Sequence, residues 1–502
     1  MIPGLINMAW SVSMRRAEKK FQRALRRPGH AQRELLFSLI SRNTDTAFGQ
    51  DYHFDQIKSI NDYRQHVPLG DYATHEPYVT RIQNGERHTL TSDAVTHLIP
   101  TSGSSGARKL IPHTRSVQTQ FDAALGPWVR DMFRRFPGAA KGRAYWSVSP
   151  AIPNDEQSGV AIGFQDDTDY LSPIGRILVR HILAVPSDIR HITETDEFWR
   201  STALRLLTAN DLSLISVWHP SYLDCLLDVL VTQWDELLDE LPSKHANRLR
   251  QTKPDAIREI WPQLALVSVW ADASAALPFG RIQTRMPGIA FQPKGLLATE
   301  GWTTIPYQGQ HPLSVNAHFF EFIDETGEPR LCDELVAGQS YEVVISTAGG
   351  LYRYRTGDRV MVTGKLKATP TIKFIGRDSA TSDLCGEKLH ESHVSSCLVI
   401  IFGDMGYWPA DQVLLPNRTT NPASYQLHVS SPTPPHDTID ARLDSELCKN
   451  PHYALCRKLG QLGHAVVKWQ SSPLRSSQAG SGTSIGAVKP RLLCHSENDL
   501  TV

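Results

Sequence analysis

The chain has 502 residues, 40% hydrophobic and 21% charged, which excludes a mainly disordered or collagen-like protein and gives length for two to four domains. Lys plus Arg and Asp plus Glu both number 52, so no net charge draws the chain to nucleic acid or to an anionic membrane. Seven dispersed cysteines without a CxxC pair argue against a disulfide framework or a zinc ribbon and fit a reducing cytoplasm.

No apolar run reaches the ~20 residues that span a bilayer. The stretch from Met1 to Met14 is apolar, but its positive charge follows rather than precedes it, which is not the order of a secretory signal. Arg15, Arg16, Lys19 and Lys20 then read as one solvated helix face. From Met8 to Arg42 the sequence favours helix and carries one interruption, Pro28-Gly29, which predicts two helices with a turn. Leu214–Val217 and Leu264–Val269 read as buried strands, and the Leu and Val spacing from Tyr222 to Leu241 reads as helix between them. That alternation predicts an α/β architecture. From Ala317 onward the pattern is of strands: His318–Ile323, Ser340–Ser346, Arg359–Val362 and Thr371–Ile375. The Ser- and Gly-rich stretch Gln470–Gly486 reads as a mobile loop.

Four segments carry chemistry. Thr101-Ser102-Gly103-Ser104-Ser105-Gly106-Ala107-Arg108-Lys109 lies between two apolar runs. Gly and Ser let the backbone approach a phosphate, hydroxyls donate to its oxygens, and Lys109 adds charge; the bland reading is a flexible turn. The GxxxxGK[ST] pattern does not fit, and Ser104 lacks the GxSxG surroundings of a hydrolase nucleophile. Thr299-Glu300-Gly301 ends a Gly-Leu-Leu run, where a carboxylate either holds Mg²⁺ or caps a turn. In Tyr352-Arg353-Tyr354-Arg355-Thr356-Gly357-Asp358, Asp358 follows a glycine turn and either accepts from ribose hydroxyls or makes an Asx turn. Gly376-Arg377-Asp378, followed by Gly386-Glu387-Lys388-Leu389, suits a hinge between domains.

In this order and spacing the segments resemble the adenylate-forming superfamily of acyl-CoA synthetases, luciferases and peptide-synthetase adenylation domains. Thr101 to Lys109 is similar to its phosphate loop TSGSTGxxK with Ser105 in place of Thr, and Tyr354 to Asp358 matches its YRTGD. The nearer resemblance is to the plant-type, auxin-responsive acyl acid amido synthetases. It is carried by Asn43 to Gly49, Arg81 to Glu86, Arg108 to Pro112, Ser216 to Tyr222, and Gly482 to Ile485 with Lys489-Pro490-Arg491.

The resemblance implies a large N-terminal adenylate-forming domain over 1–377, with β-sheets and packed helices, and a smaller mobile α+β domain over 378–502. It implies ATP and Mg²⁺ as cofactors, and a small carboxylic acid and an amino acid or other amine as substrates. Ser102, Gly103, Ser104, Ser105, Gly106 and Lys109 would hold the ATP phosphates; Thr299 would touch the α-phosphate and Glu300 would bind Mg²⁺. Asp358 would grip the ribose, with Arg377 near the hinge. Lys489 and Lys109 would be the catalytic lysines, Lys489 visiting the acyl carboxylate and α-phosphate during adenylation. Trp218, His219, Tyr222, Leu223, Ala271 and Ser274 would line the acyl pocket. Two positions depart from the family pattern: Leu296 stands where an aromatic residue usually stacks on adenine, with Trp302 as a substitute, and Ser379 stands at the usual hinge Asp position, one past Asp378. His219 is a candidate base for the amine or a packing histidine. The expected reaction is adenylation of the acid followed by acyl transfer to the amine, by a monomeric cytoplasmic enzyme with no nucleic-acid or membrane partner. The rival readings are an acyl-CoA ligase and a non-catalytic acid- or nucleotide-binding protein.

Overall fold

Apolar runs of two kinds become sheets of two kinds. A computed structural model describes residues 2–101, 109–147, 160–163, 173–192, 194–377, 381–434, 438–472, 474 and 491–494. The chain divides into two compact units. One comprises Met1–Val217, Leu226–Val269 and Gly288–Phe374; the other comprises Trp218–Cys225, Trp270–Pro287 and Ile375–Val502.

In the first unit the strands Arg143–Trp146, Leu212–Ser216, Leu266–Val269 and Ala290–Pro293 lie side by side in that order, all parallel. Every residue of Leu266–Val269 is buried, as expected where both faces of a parallel sheet are covered. A second sheet has the order Thr369–Arg377, Tyr354–Leu366, Ser340–Ser346, Phe319–Ile323, Pro329–Arg330. Its three inner strands pair antiparallel. A third pairs Val95–Pro100 antiparallel with Leu110–Thr114 and parallel with the short strand Ala161–Ile162. The helix Arg115–Arg135 starts directly after that hairpin, where the Thr114 hydroxyl accepts from the Val117 N–H at 3.2 Å and caps the first turn. Its face packs Phe121, Trp128 and Met132 into a core shared with Trp10, Phe21, Leu214, Trp302 and Tyr307.

In the second unit the sheet Asp411–Asn417, Ser424–Ser430, Val466–Gln470 has one antiparallel and one parallel pairing. The parallel connection runs through the helices Ile439–Leu447 and Pro451–Lys458, a β-α-β crossover. With the helix Glu391–Met405 these elements enclose a separate core containing Leu398, Phe402, Leu427 and Tyr453.

The mixed α/β architecture expected from the sequence is therefore present, with local differences. Three helices, Ile2–Ser13, Arg15–Ala24 and Pro28–Arg42, replace the two predicted at the N-terminus. The break predicted at Pro28-Gly29 is present, with Pro28 opening the third helix where its missing N–H costs nothing; the additional break falls at Met14. The predicted helix from Tyr222 to Leu241 is two, Pro220–Thr232 and Trp234–Glu240. The strand predicted over Arg359–Val362 begins earlier, at Tyr354. No helix among the described residues is long and apolar enough to cross a membrane. The expected loop Gln470–Gly486 falls largely outside the described residues.

Candidate active site

The Ser/Gly motif connects the two strands of the Val95–Pro100/Leu110–Thr114 hairpin. Pro100 pairs with Leu110, and the Thr101 N–H donates to the Lys109 carbonyl at 2.9 Å, closing the base of the loop. Ser102, Gly103, Ser104, Ser105 and Gly106 lie outside the described residues. Lys109 stands at the hairpin's second arm with Nζ 6.0 Å from the centroid of the Tyr72 ring. The Tyr72 hydroxyl in turn accepts from the Leu110 N–H at 2.9 Å, so one aromatic residue buttresses both the strand and the lysine beside it.

Thr299 and Glu300 are the central residues of a tight turn. Ala298 and Gly301 exchange both backbone hydrogen bonds, at 3.1 and 3.2 Å, and Leu297 bridges Trp302 on the next step. Gly301 is required by close approach: a Cβ there would lie 2.5 Å from Ile345 Cδ1 and 3.1 Å from His318 Nε2. The turn thus projects Thr299 and Glu300 together. Both line a small cavity. Ile99 and Ile111 of the hairpin and Val117 and Phe121 of the Arg115–Arg135 helix supply its apolar wall. Val117 and Phe121 are four apart and so share one helix face. His113, Pro112 and Thr347 complete the lining. Burial, with the charge of His97 second, pushes the His113 imidazole down to about 4, so it is neutral at physiological pH. Among the lining residues, Glu300, Thr299 and Thr347 carry side-chain oxygens, the donor type a hard divalent cation takes.

Asp358 is buried in the strand Tyr354–Leu366, not in a loop. Pairing with Ser340–Ser346 runs Glu342 to Arg359 and then Val344 to Arg355, so extra residues bulge from the longer strand. Gly357, at φ +74°, sits in that bulge, and the Asp358 N–H donates to the Thr356 hydroxyl at 3.1 Å. The two motif arginines have structural partners. Arg355 grips Glu342 through two bonds of 2.9 and 2.7 Å. Arg353 is 4% exposed; it donates to Glu321 at 2.8 Å and to the Val67 carbonyl at 2.8 Å. Arg64 also reaches Glu321, so that buried carboxylate is answered by two guanidinium groups.

The acyl-pocket residues and Arg377 fall in the second unit. Arg377 is the exposed end of the strand Thr369–Arg377; Asp378 and Ser379 lie outside the described residues. Trp218 and Trp270 pack with ring centroids 5.6 Å apart, and the Trp270 N–H donates to the Trp218 carbonyl at 3.0 Å. Leu223 and Tyr222 are buried; Ala271 and Ser274 are half-buried. His219 is buried, and its Nδ1 lies 2.6 Å from the Ser221 hydroxyl and 3.3 Å from the Ser221 nitrogen, the contacts of a residue packed at the start of a helix. Lys489 lies outside the described residues. At the adenine position Leu296 is partly buried among apolar residues, and Trp302 is buried, stacked on Phe121 with centroids 5.4 Å apart.

Sequence reading missed His113, Val117 and Phe121. The signal was available, since they stand just past Lys109 at strand and then helix spacing. It also missed Lys294, buried at the carboxyl end of the parallel sheet. Its Nζ donates to the Ser216 hydroxyl at 2.7 Å and stands 5.0 Å over the Trp128 ring, and burial pushes its pKa down to about 7.

Comparison with known proteins decides the family. The GH3 family N-terminal domain matches residues 17–251 and the GH3 family central domain matches residues 311–377, together more than half of the chain. The chain belongs to the GH3 family. Among its relatives is an indole-3-acetic acid-amido synthetase of Arabidopsis thaliana, GH3.3, 23% identical over 501 residues, spanning 87% of this chain and 84% of that protein. The rice enzyme GH3.8 (Oryza sativa subsp. indica), another indole-3-acetic acid-amido synthetase, is 24% identical over 422 residues, spanning 72% of this chain and 68% of that protein. In fold, this GH3 chain matches the acyl acid amido synthetase AtGH3.15 with a TM-score of 0.84 at 16% identity, over 98% of this chain and 95% of that one. A 2-hydroxyisobutyryl-CoA ligase bound to its acyl-adenylate matches with a TM-score of 0.56 at 14% identity, over 94% and 89% of the two chains.

Proposed function

We propose that this chain is an acyl acid amido synthetase: it adenylates a small carboxylic acid with ATP, releasing pyrophosphate, and passes the acyl group to an amino acid or other amine, releasing AMP. The observation that carries the reading is the turn that sets Thr299 and Glu300 at the wall of an apolar cavity, in a GH3-family chain.

A carboxylate does not react with an amine at neutral pH, because oxide is a poor leaving group; attaching AMP supplies a good one. The protein's part is to hold the reactants together and to meet developing negative charge with fixed partners. In this reading Ile99, Ile111, Val117 and Phe121 form the apolar wall behind Thr299 and Glu300, and Trp218, His219, Tyr222, Leu223, Ala271 and Ser274 receive the apolar body of the acid. Neutral His113 offers a hydrogen bond without a charge. Lys109 and the hydroxyls of Ser102, Ser104 and Ser105 hold the phosphates, with Gly103 and Gly106 letting the backbone close on them. Thr299 contacts the α-phosphate and Asp358 takes the ribose hydroxyls. Glu300, with Thr299 and Thr347, would hold Mg²⁺, which supplies charge neutralisation at the phosphates when bound. The region 378–502 acts as a mobile domain that brings Lys489 to the carboxylate for adenylation, with Arg377 near the hinge. The amine must reach the adenylate neutral, which requires desolvation or a base. The reading includes a monomer in the cytoplasm, a compartment that suits seven free thiols.

Pyrophosphate release is the test. An acid panel with ATP should give acid-dependent pyrophosphate, and adding amino acids should raise turnover and yield AMP with an amide. Turnover raised by CoA instead would make the chain a ligase to thiols. No pyrophosphate with any acid would leave a binding protein.

A further inference from the structure

Among the described residues, one cluster outside the proposed active site joins soft and hard donors: Cys385, Glu387 and Cys456 bring two thiol sulfurs and a carboxylate oxygen within 4.8 Å of one another. Sequence distance hides it, since the two cysteines are 71 residues apart. All three residues belong to the second unit.

The loop between the short strands Thr381–Ser382 and Leu389–His390 builds the site. Gly386 sits at φ +106°, and its N–H donates to Asp383 Oδ1 at 2.6 Å. That turn folds the backbone around the buried Glu387 carboxylate: the Leu384 N–H donates to Oε1 at 2.7 Å and the Cys385 N–H to Oε2 at 2.9 Å. The buried Tyr425 hydroxyl, from the middle strand of the sheet, donates to Oε1. Cys385 Sγ–H donates to Oε2 at 3.4 Å. From the helix Pro451–Lys458, Cys456, itself buried, points its thiol at the Cys385 carbonyl at 3.7 Å.

We propose that Cys385 Sγ, Cys456 Sγ and Glu387 Oε2 form a binding site for a thiophilic divalent cation of the Zn²⁺ class, with water in the fourth position. Tetrahedral zinc with bonds of about 2.3 Å to sulfur and 2.0 Å to oxygen holds its donors roughly 3.5–3.8 Å apart, so a contraction of about 1 Å completes the site. Glu387 is already oriented for the task, because Tyr425 and the Leu384 N–H fix Oε1 and leave Oε2 toward the thiols. Binding breaks two S–H bonds, forms two metal–sulfur bonds and releases two protons to solvent; no electron moves. The proton that Cys385 shares with Oε2 is one of the two that leave, which opens that oxygen to the ion. The bound ion would pin the loop between Thr381–Ser382 and Leu389–His390 to the helix Pro451–Lys458. This proposal stands apart from the reaction and does not depend on it.

The test uses the full chain, reduced with a phosphine and freed of metal, titrated with Zn²⁺ by calorimetry in buffers of different ionisation enthalpy. A parallel titration with Co²⁺ is followed by absorption. One Zn²⁺ per chain, two protons released and a thiolate-to-cobalt charge-transfer band are expected. Cys385→Ser and Cys456→Ser should each lower affinity by ~100-fold or more, and Glu387→Gln by ~10–100-fold, while Cys448→Ser, outside the cluster, binds as wild type. Thermal melts of each variant without metal separate lost ligation from lost folding. Unchanged affinity in the Cys385→Ser/Cys456→Ser double variant, or a cobalt spectrum without the charge-transfer band, would overturn the proposal. Recovery of Cys385 and Cys456 as a disulfide from the reduced, Zn²⁺-treated protein would overturn it as well.

Discussion

His318 is wholly buried, and neither ring nitrogen has a hydrogen-bond partner among the described residues. Burial pushes its pKa from 6.5 down to about 3, so the folded protein keeps it neutral. As pH falls through 6.5 the unfolded chain takes up a proton that the folded chain refuses until about 3. The stability contributed by the neutral ring is thus fully present above 6.5 and is lost progressively below it, by up to about 1.4 kcal/mol per pH unit. His318→Leu should flatten the fall in Tm between pH 6.5 and 4.5, and thermal melts across that range check it. Melting curves that shift in parallel for both proteins would assign the acid sensitivity elsewhere. This role was not legible in the sequence, where His318 was only the first residue of an apolar strand. Arg353 teaches the same lesson: its motif reads as chemistry, yet its guanidinium is spent on Glu321 and the Val67 carbonyl. A sequence shows which residues can ionise, but not which of them the fold has already paired.

At the scale of elements, the 298–301 turn makes the sharpest prediction. Glu300 stands at its tip and takes no part in the two backbone bonds that close it. Glu300→Ala should therefore leave those two bonds in place. Losing one preorganised electrostatic partner should cut metal-dependent pyrophosphate release by ~10²–10³. Release at the wild-type rate would remove Glu300 from the proposed metal site. Strands such as Ser340–Ser346 were legible because unbroken apolar runs leave little choice. The turn reading at Asp358 failed because a bulge lets glycine at positive φ sit inside a strand, where a local pattern sees only a break. The break at Gln233 was equally hidden, since helical spacing of Leu and Val continues across it.

At the scale of the whole molecule, the turn with Thr299 and Glu300 and the strand residue Asp358 lie in one compact unit, and Arg377 lies in the other. If the second unit rotates between half-reactions, Lys489 serves only the first. Lys489→Ala should then cripple acyl-adenylate formation and spare amide formation from supplied acyl-adenylate, which rapid-quench measurement of each step resolves. Equal loss in both would argue against alternation.

The most direct measurement of the two-step account is a pulse and chase. Wild-type protein is mixed with ATP, Mg²⁺ and an acid that supports pyrophosphate release, quenched for mass spectrometry, and in parallel chased with amino acids or with CoA. The account predicts enzyme-bound acyl-adenylate in the pulse and its conversion to an N-acyl amino acid, with one AMP released per amide, in the amino-acid chase alone. Absence of acyl-adenylate, or its conversion to a thioester rather than an amide, would contradict it.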